Sequence, residues 1–111
     1  MLINFTEMRT RLKSLGLNVY RDLAPKNTPL PYYVYSFVNE KQVRASNLAQ
    51  LAIQEYQISL FTNGTEKELK PFKSAFQDVS YESVINQPED DENDEIVNHF
   101  YTYMEVLADE W

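Results

Sequence analysis

His99 is the only histidine in the chain, which makes it the first residue to test for acid–base or nucleophilic chemistry. It lies in an alternating run that predicts a strand, and no serine or cysteine motif typical of a nucleophile elbow occurs in the sequence. Cysteine is absent altogether. Glu105 and one acidic loop are the candidate carboxylate partners, and nothing in the sequence determines their geometry. We interpret His99 as a structural or surface residue and expect neither enzymatic activity nor a cofactor.

Six acidic residues within positions 89–95 form a second candidate site, for a cation: Glu89, Asp90, Asp91, Glu92, Asp94 and Glu95. A calcium loop starting at Asp90 would need glycine at its sixth position and glutamate at its twelfth. Those positions hold Glu95 and Tyr101, and a start one residue later fits no better. We therefore expect a solvated loop that repels itself, with non-specific divalent binding as the alternative and no dedicated metal site.

The charge balance argues against nucleic acid as a partner. The formal net charge is −7, from 17 acidic and 10 basic residues. Because the acidic loop contributes most of that excess, the rest of the chain is close to neutral. The basic residues are scattered, so the counterion release that drives binding to DNA or RNA is missing. Both glycines, Gly16 and Gly64, are isolated, which excludes a glycine-rich phosphate loop.

The length and composition indicate one domain over residues 1–111. A chain of 111 residues with 43% hydrophobic and 24% charged residues can bury a single core. No apolar run approaches the roughly 20 residues that a membrane-spanning helix needs. No secretory signal is visible at the start of the sequence, so we expect the cytoplasm and no membrane partner.

The first elements are a helix and a short strand. Apolar residues at spacings of three and four predict an amphipathic helix over about 4–15, capped by Asn4 or Thr6 and ended by Gly16. Leu17, Val19 and Tyr20 predict a short extended segment before a proline-containing loop.

Two strands follow and form a hairpin. The run Tyr32–Val38 is rich in aromatic and β-branched residues, and alternation predicts a second strand over 52–62 with Tyr56, Ile58 and Leu60 towards the core. The polar segment between them is too long for a tight turn, so we expect an arm that projects beyond the sheet. We predict that the arm contacts a partner through Asn39, Gln42, Val43, Arg44, Leu48 and Leu51.

The second half of the chain predicts a helix and two strands. Thr65 to Glu68 fits a capping box and starts a helix over about 65–77, in which Pro71 predicts a kink or a delayed start. Alternation over 79–84 predicts a short strand, the acidic loop follows over 86–94, and residues 96–107 predict a long final strand.

These elements predict an α+β fold in the order α-β-β-β-α-β-β, with a mostly antiparallel sheet of four to five strands. Two helices cannot cover both faces of such a sheet, so we place both on one face and expect the other to be partly open. Tyr33, Tyr35, Phe37, Tyr101 and Tyr103 lie in two strands that could present them together as an exposed patch, and burial of most of them in an ordinary core is the alternative.

The layout as a whole resembles one protein family. It comprises a helix ending in Leu15-Gly16-Leu17, a Val19-Tyr20 strand, a proline loop running into Pro31-Tyr32-Tyr33-Val34-Tyr35, a long hairpin, the strand Tyr56–Phe61, the helix opened by Thr65–Glu68, and a closing strand after a polar loop. This order is similar to the tail completion, or tail terminator, proteins of long-tailed phages. The resemblance implies a structural subunit, without catalytic residues, that assembles in the host cytoplasm and lies at the junction of tail and head in the virion. It also implies a ring, usually a hexamer, with the tail tube protein and the head connector protein as partners.

Two other functions are compatible with the composition. A small acidic inhibitor could mimic DNA, although mimicry needs acids spread across a surface rather than gathered in one loop. An enzyme would need His99 in a cleft beside a carboxylate. The mass of the free oligomer separates a ring from a mimic.

Overall fold

The structure is a computed structural model that describes residues 2–44, 50–90 and 96–109. Its first two elements are a helix and a short strand. Helix α1 spans Phe5–Lys13, and the Asn4 side chain caps it by accepting a hydrogen bond from the Glu7 amide at 2.8 Å. Gly16 follows with a φ of 88°, which confirms the left-handed turn expected after the helix. Strand β1 then covers Asn18–Arg21.

A long hairpin forms the centre of the sheet. Strand β2 spans Tyr32–Arg44 and strand β3 spans Gln50–Thr62, paired antiparallel with a bulge between Phe37 and Asn39. The polar segment after Val38 continues as paired strand, so the predicted arm is the outer part of the hairpin itself. Polar side chains hold it across the hairpin, since the Asn39 amide donates to Glu55 at 3.0 Å and the Gln54 amide donates to Glu40 at 2.8 Å.

The second helical segment starts late, as Pro71 predicts. A 3₁₀ turn over Glu66–Leu69 leads into helix α2, Lys70–Ala75, so that the proline falls in the first α-helical turn, where its missing N–H costs nothing. The Thr65 hydroxyl caps the 3₁₀ turn by accepting from the Lys67 amide at 3.4 Å.

The strand predicted over 79–84 is wrong. Only an isolated bridge joins Tyr81 to Met104, while strands β4, Ile85–Asn86, and β5, Glu89–Asp90, lie where the sequence predicts an acidic loop. Residues 79–84 instead follow the core edge, with the Thr102 hydroxyl donating to the Glu82 carbonyl at 2.6 Å. Strand β6 spans Ile96–Leu107, as predicted.

The sheet has the order β1-β2-β3-β6-β4, with β5 also paired to β6. Among the strands described, β1 and β2 pair in parallel and the other pairs are antiparallel, with one further isolated parallel bridge between Asn4 and Leu107. The α+β class and the order of helices and strands are therefore confirmed, although the described residues contain one more short strand than expected. The hairpin makes the molecule elongated, with a longest dimension of 56 Å.

One face of the sheet packs against both helices and forms the core. From the helical segments come Met8, Leu12, Leu69, Phe72 and Phe76, and from the long strands come Tyr33, Tyr35, Tyr56, Ile58, Leu60, Phe100, Met104 and Val106. Burial raises the pKa of Tyr33 to about 12, with a smaller contribution from Glu68, so this phenol stays neutral. No helix in the described ranges is long and apolar enough to cross a bilayer.

Candidate functional site on the open sheet face

The sheet face opposite the helices carries a different set of side chains from the one predicted. Tyr33 and Tyr35 belong to the core, with exposures of 1% and 5%, so they cannot share a patch with Tyr101 and Tyr103, which lie on the opposite face. Strand alternation separates the two sets, and packing against the helices buries the first. Phe37 is exposed, but it lies on the core side next to Tyr56.

A continuous row of aromatic rings crosses this open face from β1 to β6. Adjacent ring centroids lie 5.9, 5.2, 4.2, 5.1 and 6.1 Å apart. All of these rings are partly exposed. We call this set the aromatic row; in spatial order it is Tyr20, Tyr32, Phe61, His99, Tyr101 and Tyr103.

Strand register builds the centre of the aromatic row. Tyr32 is the direct neighbour of Phe61 across β2 and β3, and Phe61 is the direct neighbour of His99 across β3 and β6. Directly opposed side chains on one face lie about 5 Å apart, which brings the rings into stacking contact. The sequence shows each residue's place in its strand but does not give this register.

His99 is hydrogen-bonded within the row. Its Nε2 lies 2.8 Å from Ser59 Oγ, while its Nδ1 is buried and has no partner in the described part of the chain. Burial lowers the pKa of His99, and the negative charge of Glu89 opposes this only in part, so the imidazole is neutral at pH 7.

The Ser59–His99 pair has the residue types of a nucleophile and base, but its surroundings suit a structural hydrogen bond. Ser59 is 4% exposed and lies in the middle of β3, paired on both sides. A catalytic serine needs an accessible hydroxyl and an imidazole that a third group orients. No described residue bonds to His99 Nδ1 to supply that orientation.

A groove of about 390 Å³ runs beside the aromatic row. Its floor includes Tyr32, Phe61 and His99, and one wall is the turn over residues 22–24. Two carboxylates, Asp22 and Glu89, stand on its rim. The surface is thus aromatic below and acidic at its edge, and we call it the groove.

Leu23, in the wall of the groove, is 82% exposed, the largest exposure among the large hydrophobic residues described. The turn that carries it follows β1, where the Asp22 amide donates to the Tyr35 carbonyl at 2.9 Å and Asp22 itself has a φ of 68°. The backbone therefore holds this apolar side chain out into solvent, at the edge of an aromatic surface.

The predicted contact residues lie at the far end of the same sheet. We call residues 39–44 and 50–55 of the hairpin the arm. Asn39, Gln42, Val43, Arg44 and Leu51 are all exposed there, whereas Leu48 lies outside the described residues. Val43 and Leu51 are opposed across the hairpin with exposures of 38% and 40%, so the arm presents an apolar pair to solvent.

The acidic loop is only partly described. Glu89 is exposed at the rim of the groove and Asp90 pairs with Ile96, whereas Asp91, Glu92, Asp94 and Glu95 lie outside the described residues. Within the described ranges, no group of three or more histidine or acidic side chains could hold a metal ion.

Sequence reasoning missed Tyr20, Tyr32 and Phe61 as surface residues. The available signal was alternation, because Phe61 has the same parity along its strand as polar Glu55 and Gln57, which identifies the solvent side. The turn at Asp22 and the position of Glu89 beside it carry no comparable signal, since they meet only through the sheet.

Comparison with known proteins shows a similarity in the overall path of the backbone and nothing more. No family model matches the sequence, and no curated protein matches it. Among solved structures, the chain is similar to one described as "Virion of native gene transfer agent (GTA) particle". The identity is 17% and the TM-score 0.44, over 93% of this chain and 90% of that chain. A superposition of this quality carries no argument about function.

Proposed function

We propose that this chain is a structural subunit of a phage or phage-like particle. More narrowly, we propose a tail completion protein that forms a ring at the head-proximal end of the tail tube, ends tail growth and joins the tail to the head connector. The layout of helices, proline loop and long hairpin supports the family, and the open face supports assembly. We also propose that the chain acts by binding other subunits and not by catalysis.

The observation that carries the proposal is the pair of unlike surfaces on one molecule. The open face holds the aromatic row and the groove, while the arm holds Val43 and Leu51. Unlike surfaces that meet head to tail generate a ring when the rotation closes. Side chains of these types are what protein interfaces bury.

The ring number and the partners follow from the family resemblance. The proposed assembly is a hexamer of this chain that contacts the tail tube protein on one side and the head connector protein on the other. Negative charge would suit such a ring, because a lumen that repels phosphates does not hold the passing genome.

Substitution in the arm tests this function. In Leu51→Asp a charge enters the proposed interface, and we expect loss of ring formation on tail tubes, measured by light scattering and electron microscopy, with an unchanged thermal melt. Leu2→Asp is the matched control, because Leu2 is 44% exposed against 40% for Leu51 and lies outside the arm and the groove.

Two results would contradict the proposed function. The first is a Leu51→Asp protein that caps tubes and joins heads as well as the parent does. The second is a parent protein that stays monomeric on addition of tail tubes.

A further inference from the structure

We propose that the groove binds a second copy of this chain through three lysines on the helix side of that copy. We call these lysines the lysine row: Lys67, Lys70 and Lys73. In this contact the lysine row lies against the acidic rim of the groove. The inference rests on the proposed function, because it names a contact through which neighbouring subunits of the ring would meet. The arm is then free for the tail tube protein.

The open face of the sheet presents negative charge. The charged side chains that line the groove are the carboxylates of Asp22 and Glu89. A second groove, of about 340 Å³, lies on the same face and is lined by three more carboxylates: Glu55, Glu82 and Glu105. Lys41 neutralises one of these, since it pairs with Glu105 at 2.9 Å. The described part of this face is therefore suited to a basic partner surface.

The lysine row gives the helix side the opposite charge. Lys67 lies in the 3₁₀ turn, and Lys70 and Lys73 lie in α2. A spacing of three residues places all of them on one side of this helical segment. All three are exposed, and none forms an ion pair with a described residue. The segment stays positive when its two acidic residues, Glu66 and Glu68, are counted.

The lysine row and the groove lie on opposite sides of one molecule. The helical segment packs on the core face through Leu69 and Phe72. The floor of the groove is formed on the other face, by Tyr32 and Phe61. Because the sheet separates the two surfaces, they can meet only between molecules. Such a contact joins unlike surfaces, which repeat head to tail.

The groove also suits the chemistry of a lysine side chain. The aliphatic stem of a lysine packs on apolar surface while its ammonium group stays at a polar edge. The groove provides both parts, because its floor is aromatic and its rim carries Asp22 and Glu89. Neither carboxylate forms an ion pair with a described residue, so both can accept from a lysine of the second copy. The contact would also cover Leu23, which is 82% exposed in the wall.

Exchange of charge between the two surfaces tests the contact. Lys70→Glu and Glu89→Lys should each weaken self-association by about tenfold at low salt, because each places like charges together. A mixture of the two proteins should associate again, since the unaltered groove of the first can bind the unaltered lysine row of the second. Sedimentation with and without tail tubes measures this.

Lys26→Glu is the matched control. It makes the same change in net charge at an exposed lysine, outside the lysine row and outside the lining of both grooves. We expect the control to associate as the parent does, and all of these variants to keep the thermal melt of the parent.

Carbodiimide cross-linking of the parent protein gives a second measurement. This reagent joins a lysine amine to a carboxylate that it contacts. An amide between Lys70 and either Asp22 or Glu89 must link two copies, because the sheet separates these residues within one molecule. We expect mass spectrometry to find such amides from the lysine row and to find few from Lys26.

Each result decides the question. If the variants associate like the parent in protein that forms rings by mass, the inference is overturned and the proposed function stands. Loss and recovery of association in chains that never close into a ring would support the contact and contradict the ring function. Amides from Asp22 and Glu89 to the tail tube protein alone would show a different occupant and overturn the inference. A parent that neither associates nor cross-links, alone or on tubes, would overturn both proposals.

Discussion

The imidazole of His99 stacks on the ring of Phe61, with centroids 4.2 Å apart and planes 17° from parallel. The two residues are opposed across the central pair of long strands, so the stack lies in the middle of the aromatic row. A neutral ring suits this place, where burial makes a charged imidazolium unfavourable.

The position of His99 predicts a dependence of stability on pH. Its pKa is lowered in the folded chain from the ordinary value of 6.5, so the unfolded chain takes up the proton first as the pH falls. The free energy of unfolding should therefore decrease as the pH drops below about 6.5 and be unaffected above it. Urea unfolding of the parent and of His99→Gln over a range of pH measures this decrease. The carboxylates are common to both proteins, so the difference between their free energies of unfolding reports on His99. A parent that gains stability over the variant at lower pH would contradict the assignment.

The core prediction compares two phenylalanines. Phe76 is fully buried between the helices and the sheet, whereas Phe37 is 46% exposed at the edge of the same face. Phe76→Ala should lower the free energy of unfolding by about 3–5 kcal/mol, because it leaves a cavity. Phe37→Ala should cost within about 1 kcal/mol. Urea unfolding measures both, and losses of equal size would show that the core is not where the structure has it.

Arg11 should matter more for stability than its partner Asp78. The Arg11 guanidinium donates to Asp78 at 2.7 Å and to the Ala75 carbonyl at 2.9 Å, joining α1 to the end of α2, and the first bond holds the pKa of Asp78 below its ordinary value. Asp78→Asn removes one ion pair, whereas Arg11→Met removes both contacts, so we expect the larger fall in melting temperature for Arg11→Met.

Salt and pH provide the controls for this pair. The effect of Asp78→Asn should shrink in high salt, since exposed ion pairs are screened. It should also disappear as the pH falls through the lowered pKa of Asp78, because the stabilising charge is then lost. Lys13→Met is the control, because Lys13 is an exposed basic residue of the same helix. If the Arg11→Met protein is as stable as the Lys13→Met protein, the contacts of Arg11 with Asp78 and the Ala75 carbonyl contribute nothing to stability.

The sequence by itself determined the elements whose local pattern is strong. Helix α1, the strands around 32–38 and 52–62, and β6 are all predicted, because their apolar spacing, capping residues and β-branched content agree with one another. The late start of α2 is predicted by Pro71 alone, since proline is favourable only in the first turn. The exposure of Val43, Arg44 and Leu51 also follows from their polar surroundings in the chain.

Only the tertiary structure decided which aromatic residues face water. Alternation places Tyr33 and Tyr35 on one face of the sheet and Tyr32 and Val34 on the other, but it does not determine which face the helices cover. In this structure the helices cover the face of Tyr33 and Tyr35. The prediction of a strand over 79–84 is wrong for a related reason. The alternating residues of that segment pack at the edge of the core, and residues 85–86 pair with β6 in their place. The aromatic row and the groove depend on register between strands that are distant in the sequence. That register is set by packing against the helices, which no local pattern in the chain records.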